Sequence, residues 1–195
     1  MIEARSSGPD VLESRLRSEA YQTLMVRLRP TADGCLPACL RGCREADDLI
    51  QDALAKAIRA FQRRGALEPA FFALPEDEIL RYMRSAIIRV AVDLVRHLNR
   101  AKGPGGTIPA LEREPLSDHT SLTGRVRRNE ALGNLAIALA SLPEDQYQAI
   151  DLHFLQGLPH AEVAVAIGKT RASVAGLVRR GLDALRAQLG DLDLI

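Results

Sequence analysis

Apolar residues recur at helical spacing along most of the chain, and the breaks between the runs set the order of elements. Leu12, Leu16, Ala20, Leu24 and Leu28 stand four apart and predict a helix over Val11–Leu28. Arg29–Gly34 (RPTADG) reads as a breaker, and Cys35–Gly42 as a short helix with Pro37 in its first turn. Arg44–Arg64 is predicted as a long helix with Ala46, Leu49, Ile50, Ala53, Leu54, Ala57, Ile58 and Phe61 on one face, closed by Gly65. A second long helix, Glu76–Lys102, turns Ile79, Tyr82, Met83, Ala86, Ile87, Val90, Leu94 and Leu98 inward.

The pattern then stops. Gly103-Pro104-Gly105-Gly106, Pro109 and Pro115 interrupt a polar stretch without periodicity, which reads as a flexible linker over 103–128. Beyond it, Glu130–Ala140 is predicted helical. A helix opening at Leu142-Pro143-Glu144-Asp145 runs to about Gln156, and a short one spans His160–Ile167. Gly168 stops that short helix, and Thr170 caps a final helix to about Leu189, its hydroxyl placed for the amide near Ser173. The fold class is therefore all-α: two small helical domains joined by a flexible linker. The expected bounds are a disordered 1–10, a domain over 11–102, the linker over 103–128, a domain over 129–190 and a tail over 191–195.

Composition narrows the class. Hydrophobic residues are 47% of the 195, aromatic residues only 4% with no Trp, which suits helices better than sheets. The longest apolar stretch, Ala131–Pro143, is too short to cross a membrane and contains Asn134. The N-terminus has no apolar signal core, and three Cys make a poor disulfide framework, so the cytoplasm is the expected compartment.

The net charge of +1 conceals two basic segments. Ile79–Lys102 holds six Lys/Arg against one acid, Asp93, and Lys169–Gln188 holds five against Asp183. Two such segments suggest two contact patches for a polyanion, with plain solvated helix faces as the alternative. The final helix sharpens the second patch. Opposite its stripe of Val174, Leu177, Val178, Gly181, Leu182, Leu185 and Leu189 it carries Ala172, Gly176, Arg179, Arg180 and Asp183. Small residues let a backbone approach a major groove, while Arg reaches phosphates and guanine edges. A short helix, a Gly turn and a basic-faced helix together fit a DNA-reading helix-turn-helix, against an ordinary αα-hairpin.

No nucleophile elbow, Gly-rich phosphate loop or paired catalytic carboxylate is present, so no enzyme activity, cofactor or small-molecule substrate is expected. Cys35, Cys39 and Cys43 could share a metal only with a ligand that the neighbourhood lacks, and packing as small hydrophobes is the expected role. His97, His119, His153 and His160 show no metal or acid–base spacing, and no metal site is expected.

The C-terminal half resembles region four of the sigma-70 family, in particular the extracytoplasmic-function (ECF) sigma factors. The resemblance rests on Ser141-Leu142-Pro143-Glu144-Asp145, Ala149-Ile150-Asp151-Leu152, Gln156-Gly157-Leu158, Glu162-Val163-Ala164, Ile167-Gly168 and Ala172-Ser173-Val174. The N-terminal half is similar to region two of the same family in two places. Ala46-Asp47-Asp48-Leu49-Ile50-Gln51-Asp52-Ala53-Leu54 resembles its AEDLVQE segment. Ile88-Arg89-Val90-Ala91-Val92-Asp93-Leu94-Val95-Arg96 resembles its A-R-N-x-A-I-D-x-x-R helix.

The resemblance implies that the chain directs core RNA polymerase to promoters and takes part in melting and initiation. It would have promoter DNA as its second partner and an anti-sigma factor or other inhibitory protein as a third. It assigns Asp47, Asp48, Gln51 and Asp52 to polymerase docking, residues whose acids also complement a helix dipole. It places Arg89, Asp93, Arg96, Arg100 and Lys102 at the minus-ten element, and Lys169, Arg171, Ser173, Arg179 and Arg180 at the minus-thirty-five element. Departures from the family pattern are Arg89 for a frequent Asn, Leu54 for an aromatic, Tyr82 for the usual Trp, Pro159 for a Ser/Thr cap and Leu177 for an Arg. The rivals are a free-standing helix-turn-helix regulator and a polymerase-binding adaptor that has lost promoter reading.

Overall fold

The structure is a computed structural model that describes residues 19–36, 44–63, 74–101 and 123–190. The expected helix over 11–18, residues 37–43 with Cys39 and Cys43, the loop over 64–73, Lys102 with the linker as far as 122, and the tail over 191–195 lie outside the described residues. Seven α-helices are described: α1 Glu19–Cys35, α2 Ala46–Arg63, α3 Glu76–Ala101, α4 Thr123–Ser141, α5 Glu144–Ile150, α6 His160–Ile167 and α7 Arg171–Leu189. A single π-helical turn, Asp151–Leu155, continues α5. There is no β-strand among the described residues.

Two expectations need correction. The breaker at Arg29–Gly34 is helical, and α1 runs through Pro30 to Cys35. An interior proline costs a helix about 3 kcal/mol. The stripe Leu24, Leu28, Ala32 and Cys35 is buried throughout, and each fully buried Leu returns about 1.5–3 kcal/mol. Packing therefore overrides the local signal. The linker also ends sooner than expected, because α4 begins at Thr123 and takes in 123–128. That segment has little one-sided hydrophobicity, so its pattern does not announce a helix.

The predicted stripes of α2 as far as Ile58, of α3 and of α7 face inward. Leu49, Ile50, Ala53 and Ala57 of α2 and Met83, Ala86, Ile87, Val90 and Val95 of α3 are buried. They pack with α1 in one cluster. That same cluster contains Ala136, Leu139 and Ala140 of α4, Leu142, Tyr147 and Ile150 at α5, and Leu185 of α7. α4 lies against α1 and α3, so the two halves share a core. Ala136, Ala138 and Ala140 keep α4 thin enough for this close packing.

The helix-turn-helix also has its own small core of Ala149, Val163, Ala164, Val174, Leu177 and Val178. Its turn is fixed by Gly168, which is left-handed at φ 65°, while the Lys169 amide donates to the Ala164 carbonyl at 2.9 Å. Thr170 Oγ1 accepts from the Ser173 amide at 3.2 Å, the cap expected from sequence. α7 crosses α5 closely at Gly181, where a Cβ would stand 2.5 Å from Ile150 Cδ1.

Candidate functional site

Three surfaces carry the candidate residues, and each is set up by local helix chemistry. The first is the start of α2. Asp48, at the third helical position, accepts from the Glu45 amide at 2.9 Å and so caps the helix. Asp52 pairs with Arg44 at 3.1 Å, and Asp47 lies 3.8 Å from Arg29. Gln51 is exposed beside them. The four residues form one acidic, amide-bearing surface at the positive end of the helix dipole.

The second surface is α7 and its entry. Arg171, Ser173, Arg179 and Arg180 are all exposed, as are Ala172 and Asp183. Arg180 folds back over Gly176, with a guanidinium nitrogen 3.3 Å from where a Cβ would be. Lys169 is held by Asp145 at 2.8 Å, which ties the turn to the start of α5. Leu177 is buried among α6 and α7, so its position belongs to the core and not to the basic face. An exposed helix face of small residues and arginines has the shape and charge that a major groove requires.

The third surface is α3, and here the environment differs. Arg81, Arg84 and Arg100 are exposed on this helix. Arg89, Asp93 and Arg96 stand at i, i+4 and i+7 on one face, and that face meets the C-terminal half. The Arg96 guanidinium sits 4.0 Å from the centre of the Tyr147 ring. It donates to the Leu142 carbonyl at 3.0 Å and to Glu144 at 2.5 Å, and its side chain is only 13% exposed. Arg89 lies 3.8 Å from Asp151, which itself is 14% exposed. Asp93 is bound by Lys56 at 2.6 Å. Arg100 donates through Nε to the Arg96 carbonyl at 3.3 Å.

Between these groups lies a cleft of about 240 Å³, lined by Lys56, Tyr82, Arg89, Asp93, Tyr147 and Asp151, among others. Burial raises the Asp151 carboxyl above the usual carboxylate range, with Asp93 adding to it, while Gln156 and Arg89 oppose the shift. Burial also raises the Tyr147 hydroxyl. Two polar atoms stay without hydrogen bonds in this contact, Arg96 Nε and Asp151 Oδ1. The π-helical turn brings Asp151 to α3, and π turns are frequent at functional sites.

Glu144, Tyr147 and Asp151 were not legible as site residues. Their partners are some fifty residues away in sequence, and local periodicity says nothing across such distances. The one available signal was Tyr147, an aromatic in a chain with few.

Elsewhere, Cys35 is buried in the apolar core and its thiol is pushed up to about 12, as expected for a packing residue. Among the described residues no group of three or more His, Cys, Asp or Glu could hold a metal. No described helix is long and apolar enough to cross a membrane.

The profile of sigma-70 region 4 matches residues 133–185, which run from within α4 to within α7. The chain is 25% identical over 173 residues to the ECF RNA polymerase sigma factor SigK of Mycolicibacterium vanbaalenii, covering 89% of this chain and 83% of the relative. It is 27% identical over 176 residues to the RNA polymerase sigma factor CarQ of Myxococcus xanthus, covering 90% of this chain and 92% of the relative. The similarity to these two sigma factors runs through both halves of the chain, and the match to sigma-70 region 4 falls on the helix-turn-helix of the second.

Proposed function

We propose that this protein is a transcription initiation factor that binds core RNA polymerase, carries it to promoters and assists melting. The bond-forming chemistry belongs to the polymerase, and the factor acts by binding alone. The observation that carries the reading is the exposed basic face of α7, mounted on a capped helix-turn-helix and matched to sigma-70 region 4. On this reading Arg179 and Arg180, with Arg171, Lys169 and Ser173, meet the minus-thirty-five element. Arg89, Asp93, Arg96, Arg100 and Lys102 serve the minus-ten element. Asp47, Asp48, Gln51 and Asp52 dock on polymerase, and an inhibitory protein of the anti-sigma kind is the expected regulator.

The test is binding to purified bacterial core RNA polymerase. Because Asp48 caps α2, the variant of choice is Asp48→Asn with Gln51→Ala, which keeps an oxygen acceptor for the Glu45 amide. Tight binding by the wild type, weakened by the variant at unchanged melting temperature, is the expected result. A folded wild type that does not bind the polymerase overturns the reading.

A further inference from the structure

We propose that the cleft between α2, α3 and the π turn is a binding site for a small zwitterion, a short-chain aliphatic α-amino acid. The inference goes beyond the polymerase-directed reading and does not depend on it.

Small side chains make the cleft. Ala57 and Ala60 stand at i and i+3 on α2, and with Ala86 of α3 they line a gap that longer side chains would fill. Tyr82 of α3 and Tyr147 of α5 line it as well. Its volume of about 240 Å³ equals about eight water-sized groups at about 30 Å³ each. Sites for drug-sized molecules run from about 300 to 1,000 Å³, so a nucleotide is too large here. A ligand of about eight non-hydrogen atoms fits.

The charges in the cleft balance in number but are not equally satisfied. Lys56 and Asp93 answer each other at 2.6 Å. Arg89 and Asp151 do not. Asp151 Oδ2 accepts from Gln156 at 2.8 Å, while Oδ1 is buried and takes no hydrogen bond. Arg89 Nε stands 3.8 Å from that oxygen, beyond hydrogen-bond reach, and donates instead to the Ser85 carbonyl at 3.4 Å. A buried acceptor without a donor is costly, and it marks where a ligand's donor is missing. Burial and then the Asp93 charge raise the Asp151 carboxyl, the direction that an added cation would reverse.

A ligand with an ammonium for Asp151 and a carboxylate for the Arg89 fork meets both needs. It also adds no net charge to a cleft that already holds two cations and two anions. An α-amino acid carries the two groups on one carbon, which suits partners 3.8 Å apart. Its aliphatic remainder would lie against the three alanines and the tyrosine rings. Valine, with about eight non-hydrogen atoms, is the model ligand.

The test uses the full chain without polymerase or DNA. Isothermal titration calorimetry with L-valine to about 10 mM reaches past the dissociation constant of about 1 mM expected of so small a ligand. Isobutylamine keeps the ammonium and lacks the carboxylate, and isovalerate does the reverse. Asp151→Asn removes the anion with little change of shape, and Ala60→Leu fills the cleft from a half-buried position.

Saturable binding of one valine per chain is expected. Each half-ligand on the wild type, and valine on each variant, should bind at least about tenfold more weakly, the loss of one charge-assisted hydrogen bond or of the space itself. No saturable valine binding, a half-ligand that equals valine, or wild-type affinity in Ala60→Leu overturns the proposal. If circular dichroism shows that Ala60→Leu has lost helix, Ala60→Val decides by the same outcomes. None of these readouts involves polymerase, so failure of polymerase binding with valine bound, and the reverse, are separate results.

Discussion

The two basic surfaces are alike in charge and opposite in environment. α7 presents Arg179 and Arg180 to solvent on a face of small residues. α3 folds Arg89 and Arg96 under Glu144, Tyr147 and Asp151. A run of arginines on an amphipathic helix therefore locates a candidate interface without telling whether it is open. Openness is decided by what the rest of the chain brings to that face, here a helix start and a π turn from the other half.

The largest effect that would separate the two surfaces is charge reversal on the open one. Arg179→Glu with Arg180→Glu is expected to abolish promoter-specific binding by the polymerase complex. In residual binding, the slope of log affinity against log salt should shrink by about two. Wild-type promoter binding by this variant would remove α7 from the interface.

Stability divides the surfaces the other way. Arg96→Ala discards a stacked guanidinium and its bonds to Leu142 and Glu144, so denaturant melts should report a loss of about 1–3 kcal/mol. Arg179→Ala, on an exposed position, is expected to stay within about 0.5 kcal/mol of wild type. Equal effects would mean that the cover on α3 contributes nothing.

Packing behind the cover comes next. Gly181→Ala forces a methyl against Ile150, itself buried, and is expected to lower stability by about 1 kcal/mol or more through overpacking. Differential scanning calorimetry checks it, and an unchanged melting temperature would show that α5 and α7 can part at no cost.

The smallest effect is a pH dependence. The Asp151 carboxyl titrates higher when folded than its unfolded value of about 3.9. Between those two values the folded chain holds a proton that the unfolded chain has released. Asp151 therefore supports stability at the acidic end, and that support is lost as pH rises through the window. Asp151→Asn is expected to remove this slope and to melt slightly above wild type at neutral pH. A variant that melts well below wild type at pH 7 would show that the ionised pair with Arg89 is the stronger effect.

Much of the fold was legible because it is local. The stripes of α2, α3 and α7, the Thr170 cap and the Gly168 turn each follow from a few neighbouring residues, and the structure places them as read. Pro30 misled because the burial that carries α1 through it involves other helices. The first residues of α4 have no one-sided pattern to read. The exposed basic face of α7 was legible from periodicity and charge alone. The cover over Arg89 and Arg96 was not, since it joins residues 46 to 62 positions apart and depends on how two units meet.

The most direct measurement is arginine-specific labelling of the free, full-length protein with phenylglyoxal, read residue by residue by mass spectrometry. An open α7 and a covered α3 predict fast modification of Arg179, Arg180, Arg81, Arg84 and Arg100, with Arg89 and Arg96 protected. Modification of Arg96 as fast as that of Arg100, on the same helix one turn away, would contradict the covered face.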